Sequence, residues 1–293
     1  MIRTAFSTVA CPQWKLERVV RTAAELGYDG VELRTFGYGS RRFVCDPMLT
    51  GAAKVASLLA DTGVDCCCLA TSLRLDAPIR PHLLGRTFLF DQDAPVRRGR
   101  RMIDFASRIE APMVRLFGFE VPGGESRRAT VRLIGQRLAQ LADHARHRGV
   151  RVVVENGGSF RTADDLRELL DAADSPLLGA CYNGAVGRAA GEDHTKALRT
   201  LGRRLLLARL KDYAQGAPAL PGAGEADARG FARALADYRF FDGWLSFEWD
   251  AAWHEGLEPA DEVLPEAIAT IYGWLGGQAT GKASPAQRPM AAV

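Results

Sequence analysis

Short apolar runs with β-type composition recur along the chain at 2–7, 30–33, 64–69, 113–117, 150–154, 177–181, 205–210 and 244–247. Between them, apolar residues fall at helical spacing near 15–26, 47–62, 96–109, 127–148, 163–172, 195–201, 228–238 and 261–274. Strand and helix signals that alternate this regularly predict successive βα units and a parallel sheet. Eight such units in one chain predict a single α/β domain, a (β/α)8 TIM barrel, over residues 1–275. Punctuation agrees with this reading. Thr162 stands before Ala163-Asp164-Asp165 as a hydroxyl N-cap with carboxylates in the first turn. Gly27, Gly63 and Gly149 each follow a helical run and precede a strand, where a C-cap belongs. Two βα loops, 71–93 and 118–126, are longer than usual, and such loops commonly cover substrate. Residues 276–293, rich in Gly, Ala, Ser and Pro, read as a disordered tail.

A barrel of this type builds its active site from residues at the C-terminal ends of its strands. Two runs, Val152-Val153-Val154-Glu155 and Trp244-Leu245-Ser246-Phe247-Glu248, bury an apolar body and end on a glutamate. Between them, one strand ends at Asn183 and the next carries Arg209 and, two residues on, Lys211. Side chains two apart on a strand share a face, so Arg209 and Lys211 should point the same way. Glu155, Asn183, Arg209 and Glu248 are therefore expected in one pocket. Glu32 and Arg34 end the second strand and Arg115 the fourth. Each is either an ion pair across the barrel mouth or a substrate contact, and Arg115 could take an anionic group. Among the five histidines, only His254, in the last βα loop, is a candidate for substrate binding or proton transfer. Its alternative is packing beneath that loop. The stretch Pro221-Gly222-Ala223-Gly224-Glu225-Ala226-Asp227 does not follow a strand directly and reads as a plain loop before it reads as a phosphate cradle.

Several stretches, in this order, resemble the sugar-phosphate isomerase/epimerase superfamily, the xylose isomerase-like or endonuclease IV-like TIM barrels. They are Leu26-Gly27-Tyr28-Asp29-Gly30-Val31-Glu32-Leu33-Arg34, Val114-Arg115-Leu116-Phe117-Gly118, Val154-Glu155-Asn156, Leu210-Lys211-Asp212 and Ser246-Phe247-Glu248-Trp249. Trp253-His254-Glu255 followed by Leu257 is similar to a tail segment of one branch. The resemblance implies the barrel and a site for a divalent metal held by Glu, Asp, His and Glu. Glu155 and Glu248 match the two glutamates. Asn183 stands in place of the aspartate, Arg209 in place of the histidine, and Val186 in place of a further histidine.

Those replacements change the chemistry. The family-like ligand set would carry −3, whereas Glu155, Asn183, Arg209 and Glu248 sum to −1. A guanidinium has no lone pair to give a metal. At about 4 Å and an effective dielectric of about 20 it would repel a dication by roughly 8 kcal/mol before screening. The expectation is no metal and no cofactor, with Glu155 and Glu248 as an acid/base pair and Arg209 as the third catalytic residue. Arg209 would either bridge the glutamates through its planar fork or bind the substrate. The substrate would be a small polar carbonyl or polyol compound, and the reaction an isomerisation, an epimerisation or a related lyase step. The rival reading is a catalytically silent barrel kept for ligand or partner binding.

Composition narrows the partners. The net charge of +3 is spread over 293 residues, so nucleic acid is not expected. The basic run Arg97-Arg98-Gly99-Arg100-Arg101 reads as a solvated helix face. No run approaches the roughly 18 apolar residues a membrane span requires. The N-terminus reads as a first strand and not as a signal peptide. The six cysteines form neither a disulfide framework nor a CxxC pattern, and Cys66-Cys67-Cys68 reads as buried strand. The expected location is the cytoplasm, and a homo-oligomer is left open.

Overall fold

A computed structural model describes residues 1–37, 43–76 and 93–276. Most of the first long loop and the expected tail beyond residue 276 lie outside the described residues, as does His82. Eight parallel strands close into a barrel: β1 (Arg3–Ser7), β2 (Gly30–Arg34), β3 (Asp65–Arg74), β4 (Met113–Phe117), β5 (Arg151–Glu155), β6 (Leu178–Asn183), β7 (Leu205–Leu210) and β10 (Trp244–Phe247), which returns to pair with β1. Between β7 and β10 lies a small antiparallel hairpin, β8 (Asp212–Ala214) and β9 (Ala217–Ala219). The helices are α1 (Leu16–Leu26), α2 (Pro47–Thr50), α3 (Ala52–Thr62), α4 (Ala94–Arg108), α5 (Arg127–Ala145), α6 (Ala163–Ala173), α7 (Gly184–Ala189), α8 (His194–Leu201), α9 (Ala228–Asp237) and α10 (Ala260–Leu275). All eight strands expected from hydrophobic patterning are present.

Where local structure departs from the expectation, the cause is short range. The helix expected over 47–62 breaks at Gly51, whose φ of 86° ends α2 and starts α3. Strand β3 continues to Arg74, past the expected loop start at Thr71, because Arg74 pairs with Phe117 of β4 after a register shift. Helix α7 and the hairpin are too short to show a period. Gly27 and Gly63 cap α1 and α3 in the left-handed conformation, but Gly149 lies beyond the cap of α5, which is Arg146. Thr162 and Asp165 form a reciprocal capping box on α6. The arginines of 97–101 are exposed on α4 while Gly99 is buried.

Strand alternation divides the core in two. One set of strand residues, including Val114, Leu116, Val152, Val154, Ala208, Leu210, Leu245 and Phe247, packs outward against the helices. The interior is filled by Ala5, Cys67, Cys68, Met113, Val153, Cys181, Leu207 and Trp244, the consecutive Cys67 and Cys68 both entering it where β3 slips register against β2. Trp244 plugs the bottom, and a Cβ at Gly30 would sit 2.8 Å from its ring, so glycine is required there. The cysteines are buried, and burial pushes the Cys45 and Cys66 thiols up to about 12. They serve as small apolar residues. No helix among the described residues is long and apolar enough to cross a membrane.

Candidate active site

The interior parity, followed toward the C-terminal ends, changes from apolar to charged. Along β7 it runs Leu207, Arg209 and, just past the strand, Lys211; on β5 Val153, Glu155; on β10 Trp244, Ser246 and, past its end, Glu248 and Asp250; on β4 Met113, Arg115; on β2 Gly30, Glu32, Arg34. The top of the barrel is thus a layer of buried ions, which is stable only if each is paired.

Arg209 sits at its centre, 1% exposed. Its Nη1 donates to Glu248 Oε2 and its Nη2 to Glu32 Oε1. Its Nε lies 3.6 Å from Glu155 Oε1. Burial alone would weaken the guanidinium's hold on its proton, but Glu155, Glu248 and Glu32 outweigh it and raise its pKa well above the ordinary value. The fork thus bridges Glu248 and Glu32, not the expected Glu248 and Glu155, and Nε faces Glu155 without a hydrogen bond.

Each carboxylate is held differently. Glu248 has both oxygens engaged, Oε2 by Arg209 and Oε1 by the Lys211 ammonium at 2.9 Å. Burial would raise its carboxyl, but Arg209 and then Lys211 outweigh burial and hold it well below the usual carboxylate range. Glu155 Oε1 accepts from Asn183 Nδ2 at 3.2 Å. Its Oε2 lies 3.0 Å from Arg115 Nε, yet the N–H is misaligned, so the contact is a charge pair in which neither atom has a hydrogen-bond partner. Asn183 also caps α7 through Val186 N, and Asn156 Oδ1 fixes the Asn183 amide at 2.6 Å. Asp250 Oδ2 accepts from Lys211 Nζ at 3.2 Å and from the Tyr213 hydroxyl at 2.6 Å. Burial lowers Lys211, but Glu248 and Asp250 reverse the direction, and it remains an ammonium. Burial, with Asp250 adding to it against Lys211, pushes Tyr213 up to about 12.

These groups open onto a cavity of about 510 Å³ at the C-terminal mouth, a size suited to a small molecule. Arg34, Arg115, Glu155, Asn183, Arg209, Lys211 and Glu248 all line it. Two expected contacts do not. Glu32 is 0% exposed and does not line the cavity, because its side chain points beneath the mouth into Arg209. His254 is exposed and also absent from the lining. The chain turns sharply after Asp250, with Trp253 N and His254 N both donating to Asp250 O, and this brings Trp253 to the cavity in its place. Arg115, expected as an anion receptor, is spent on Glu155 and on Thr71 O. Sequence reasoning missed Asp250 and Tyr213. Asp250 was findable, since it lies two residues past Glu248 and shares its face. The loop 221–227 holds a carboxylate of its own chain: the amides of Gly222, Gly224 and Ala226 donate to buried Asp212.

The sequence profile of the xylose isomerase-like TIM barrel matches residues 20–273. The chain belongs to that family. Among solved structures, this xylose isomerase-like barrel is similar to a zinc-bound IOLI protein, with a TM-score of 0.77 and 15% identity over 96% of this chain and 100% of that one. It is similar to L-ribulose 3-epimerase, with 0.76 and 16% over 95% and 96%. It is also similar to the "probable 3-DHS dehydratase AsbF" of Bacillus anthracis, with 0.72 and 14% over 92% and 98%. At these identities the likeness is one of fold. No curated protein sequence matches the chain.

The divalent metal implied by the resemblance does not fit these residues. The position among Glu32, Glu155 and Glu248 is taken by the guanidinium of Arg209, which donates to the oxygens a metal would need. Glu155 Oε1 also takes an N–H from Asn183, and Glu248 Oε1 takes one from Lys211. Among the described residues no group of three or more His, Cys, Asp or Glu is arranged to hold an ion.

Proposed function

We propose that this barrel is an enzyme of the sugar isomerase/epimerase kind that moves a proton at a carbon beside a carbonyl in a small polar substrate, without a divalent metal. The observation that carries the reading is Glu155: a buried carboxylate on the cavity wall, held through Oε1 by Asn183, whose Oε2 accepts no hydrogen bond and has only the misaligned Arg115 Nε beside it at 3.0 Å. Such an oxygen is placed to take a proton. Removing that proton puts negative charge on the carbonyl oxygen, and the charge needs a preorganised cation or donor in a water-poor site. Lys211 is the group for this. It is an ammonium in the same cavity, anchored by Glu248 and Asp250. Arg209 is the fixed cation that keeps three carboxylates together. Glu248, expected as the second half of an acid/base pair, has both oxygens committed and resists protonation, so its part is to hold Lys211 and Arg209. In an isomerisation Glu155 returns the proton to the neighbouring carbon. In an epimerisation the Lys211 ammonium gives a proton to the second face, and exchange with solvent then returns Glu155 and Lys211 to their starting states.

The names of the structural neighbours, an epimerase and a dehydratase, support this reaction class, since both chemistries begin beside a carbonyl. The test is turnover of a panel of ketoses, aldoses and their acids by Glu155→Gln and Glu248→Gln. A loss on the order of 10²–10⁴ is expected for Glu155→Gln, with the fold intact. Activity of the wild-type protein should survive chelation. Unchanged turnover in both variants would favour a silent barrel or another site, and loss of activity together with one equivalent of metal would refute metal independence.

A further inference from the structure

Of the cavity's cations three are already spent, and exposed Arg161 has no carboxylate within 4.0 Å among the described residues. Arg209 is held by Glu32 and Glu248, Arg115 by Glu155, and Lys211 by Glu248 and Asp250. Arg34, at the end of β2, has no carboxylate within 4.0 Å among the described residues, although it is only 7% exposed and lines the cavity. Its Nη2 donates to Ser72 Oγ at 2.7 Å, and its Nη1 is buried with no hydrogen-bond partner among the described residues. Aromatic rings of Phe36 and Trp253 flank the guanidinium, each centroid 5.8 Å away. The lining as a whole carries five cationic side chains, Arg34, Arg115, Arg161, Arg209 and Lys211, against three carboxylates, Glu155, Glu248 and Asp250.

A buried, unpaired guanidinium is costly, and in a folded protein it calls for a counter-ion. Nearby carboxylates do not supply one. Asp46 is occupied by the amides of Phe36 and Met48, and Glu155 and Glu248 are paired elsewhere. We infer that Arg34 binds a carboxylate of the substrate, so that the compound turned over is a small sugar acid or related hydroxy acid and not a neutral sugar. The inference rests on the proton-transfer reading for what happens at the reacting carbon, and on Arg34 alone for the acid. One free Nη edge beside a hydrogen-bonded Nη2 suits a monoanionic planar group. The direction of Arg34's own acidity agrees: burial, then Arg115, lower it to about 9, still charged at neutral pH.

The experiment is calorimetry on the full-length protein with matched pairs: D-gluconate against sorbitol, D-galacturonate against galactose, and glucose 6-phosphate against glucose. The acids should bind at least about tenfold more tightly than their neutral partners. Arg34→Met should erase that preference, and Arg34→Lys should retain part of it. Melting of Arg34→Met should be unchanged or higher, because an unpaired buried charge has been removed. Equal binding of acids and neutral partners, no binding of any acid, or a preference that survives Arg34→Met would overturn the inference. A preference confined to the phosphate pair would overturn the carboxylate assignment. Because binding is read at equilibrium, the same titrations on Glu155→Gln separate the two readings. Acid preference with full turnover in Glu155→Gln sinks only proton transfer by Glu155. Lost turnover with no acid preference sinks only the role of Arg34.

Discussion

Replacing Arg209 by Met tests the buried ion layer most directly. Arg209 contacts three carboxylates, yet its removal does not strand all three. Glu248 keeps Lys211 at 2.9 Å and Glu155 keeps Arg115 at 3.0 Å. Glu32 keeps no cation within ion-pair distance among the described residues, and it is fully buried. The deficit is one uncompensated buried carboxylate, which costs about 3–5 kcal/mol. The folded variant can relieve that cost by binding one proton in the cluster. A carboxyl whose folded pKa is raised binds more protons folded than unfolded, so stability falls as pH rises through that window. Urea unfolding followed by circular dichroism should therefore show the full loss near pH 8. The loss should shrink by up to about 1.4 kcal/mol per pH unit on the way down to near pH 5. Wild-type Glu248 behaves oppositely: its lowered pKa contributes stability above the ordinary carboxylate value that is lost as pH falls below it. Measurements above about pH 5 keep that effect out of the comparison. A loss under about 0.5 kcal/mol, or one that does not change with pH, would refute the claim that Arg209 neutralises the layer.

Arg209→Lys should also be damaging despite keeping the charge, because an ammonium cannot reach three carboxylates from one planar fork; urea unfolding should place it between Met and wild type. Asp212→Ala leaves the amides of Gly222, Gly224 and Ala226 without their acceptor, and a loss of about 1–3 kcal/mol is expected in the same assay. Combining Arg209→His with Asn183→Asp should create measurable Mn²⁺ or Zn²⁺ affinity by calorimetry, and no binding would mean that more of the shell than these two residues bars an ion.

Much of this molecule is written locally. Strand and helix periods, the capping box at Thr162 and the glutamates that end β5 and β10 depend on residues a few positions apart, and sequence patterning finds them. Alternation also places Arg209 and Lys211 on one face and could have added Asp250. Pairing across the mouth is another matter. Glu32 meets Arg209 over 177 positions, and nothing near either residue indicates it. Arg34 and Arg115 look alike as strand-end arginines, yet closure of the barrel brings Arg115 to Glu155 and, among the described residues, leaves the Arg34 guanidinium with Ser72 and no carboxylate. Ion pairing is decided over a few ångströms between strands that are distant in the chain, so it exists only once the barrel has closed. A backbone turn after Asp250 leaves His254 at the surface and brings Trp253 to the cavity, and the identity of the residues does not announce which of the two faces inward.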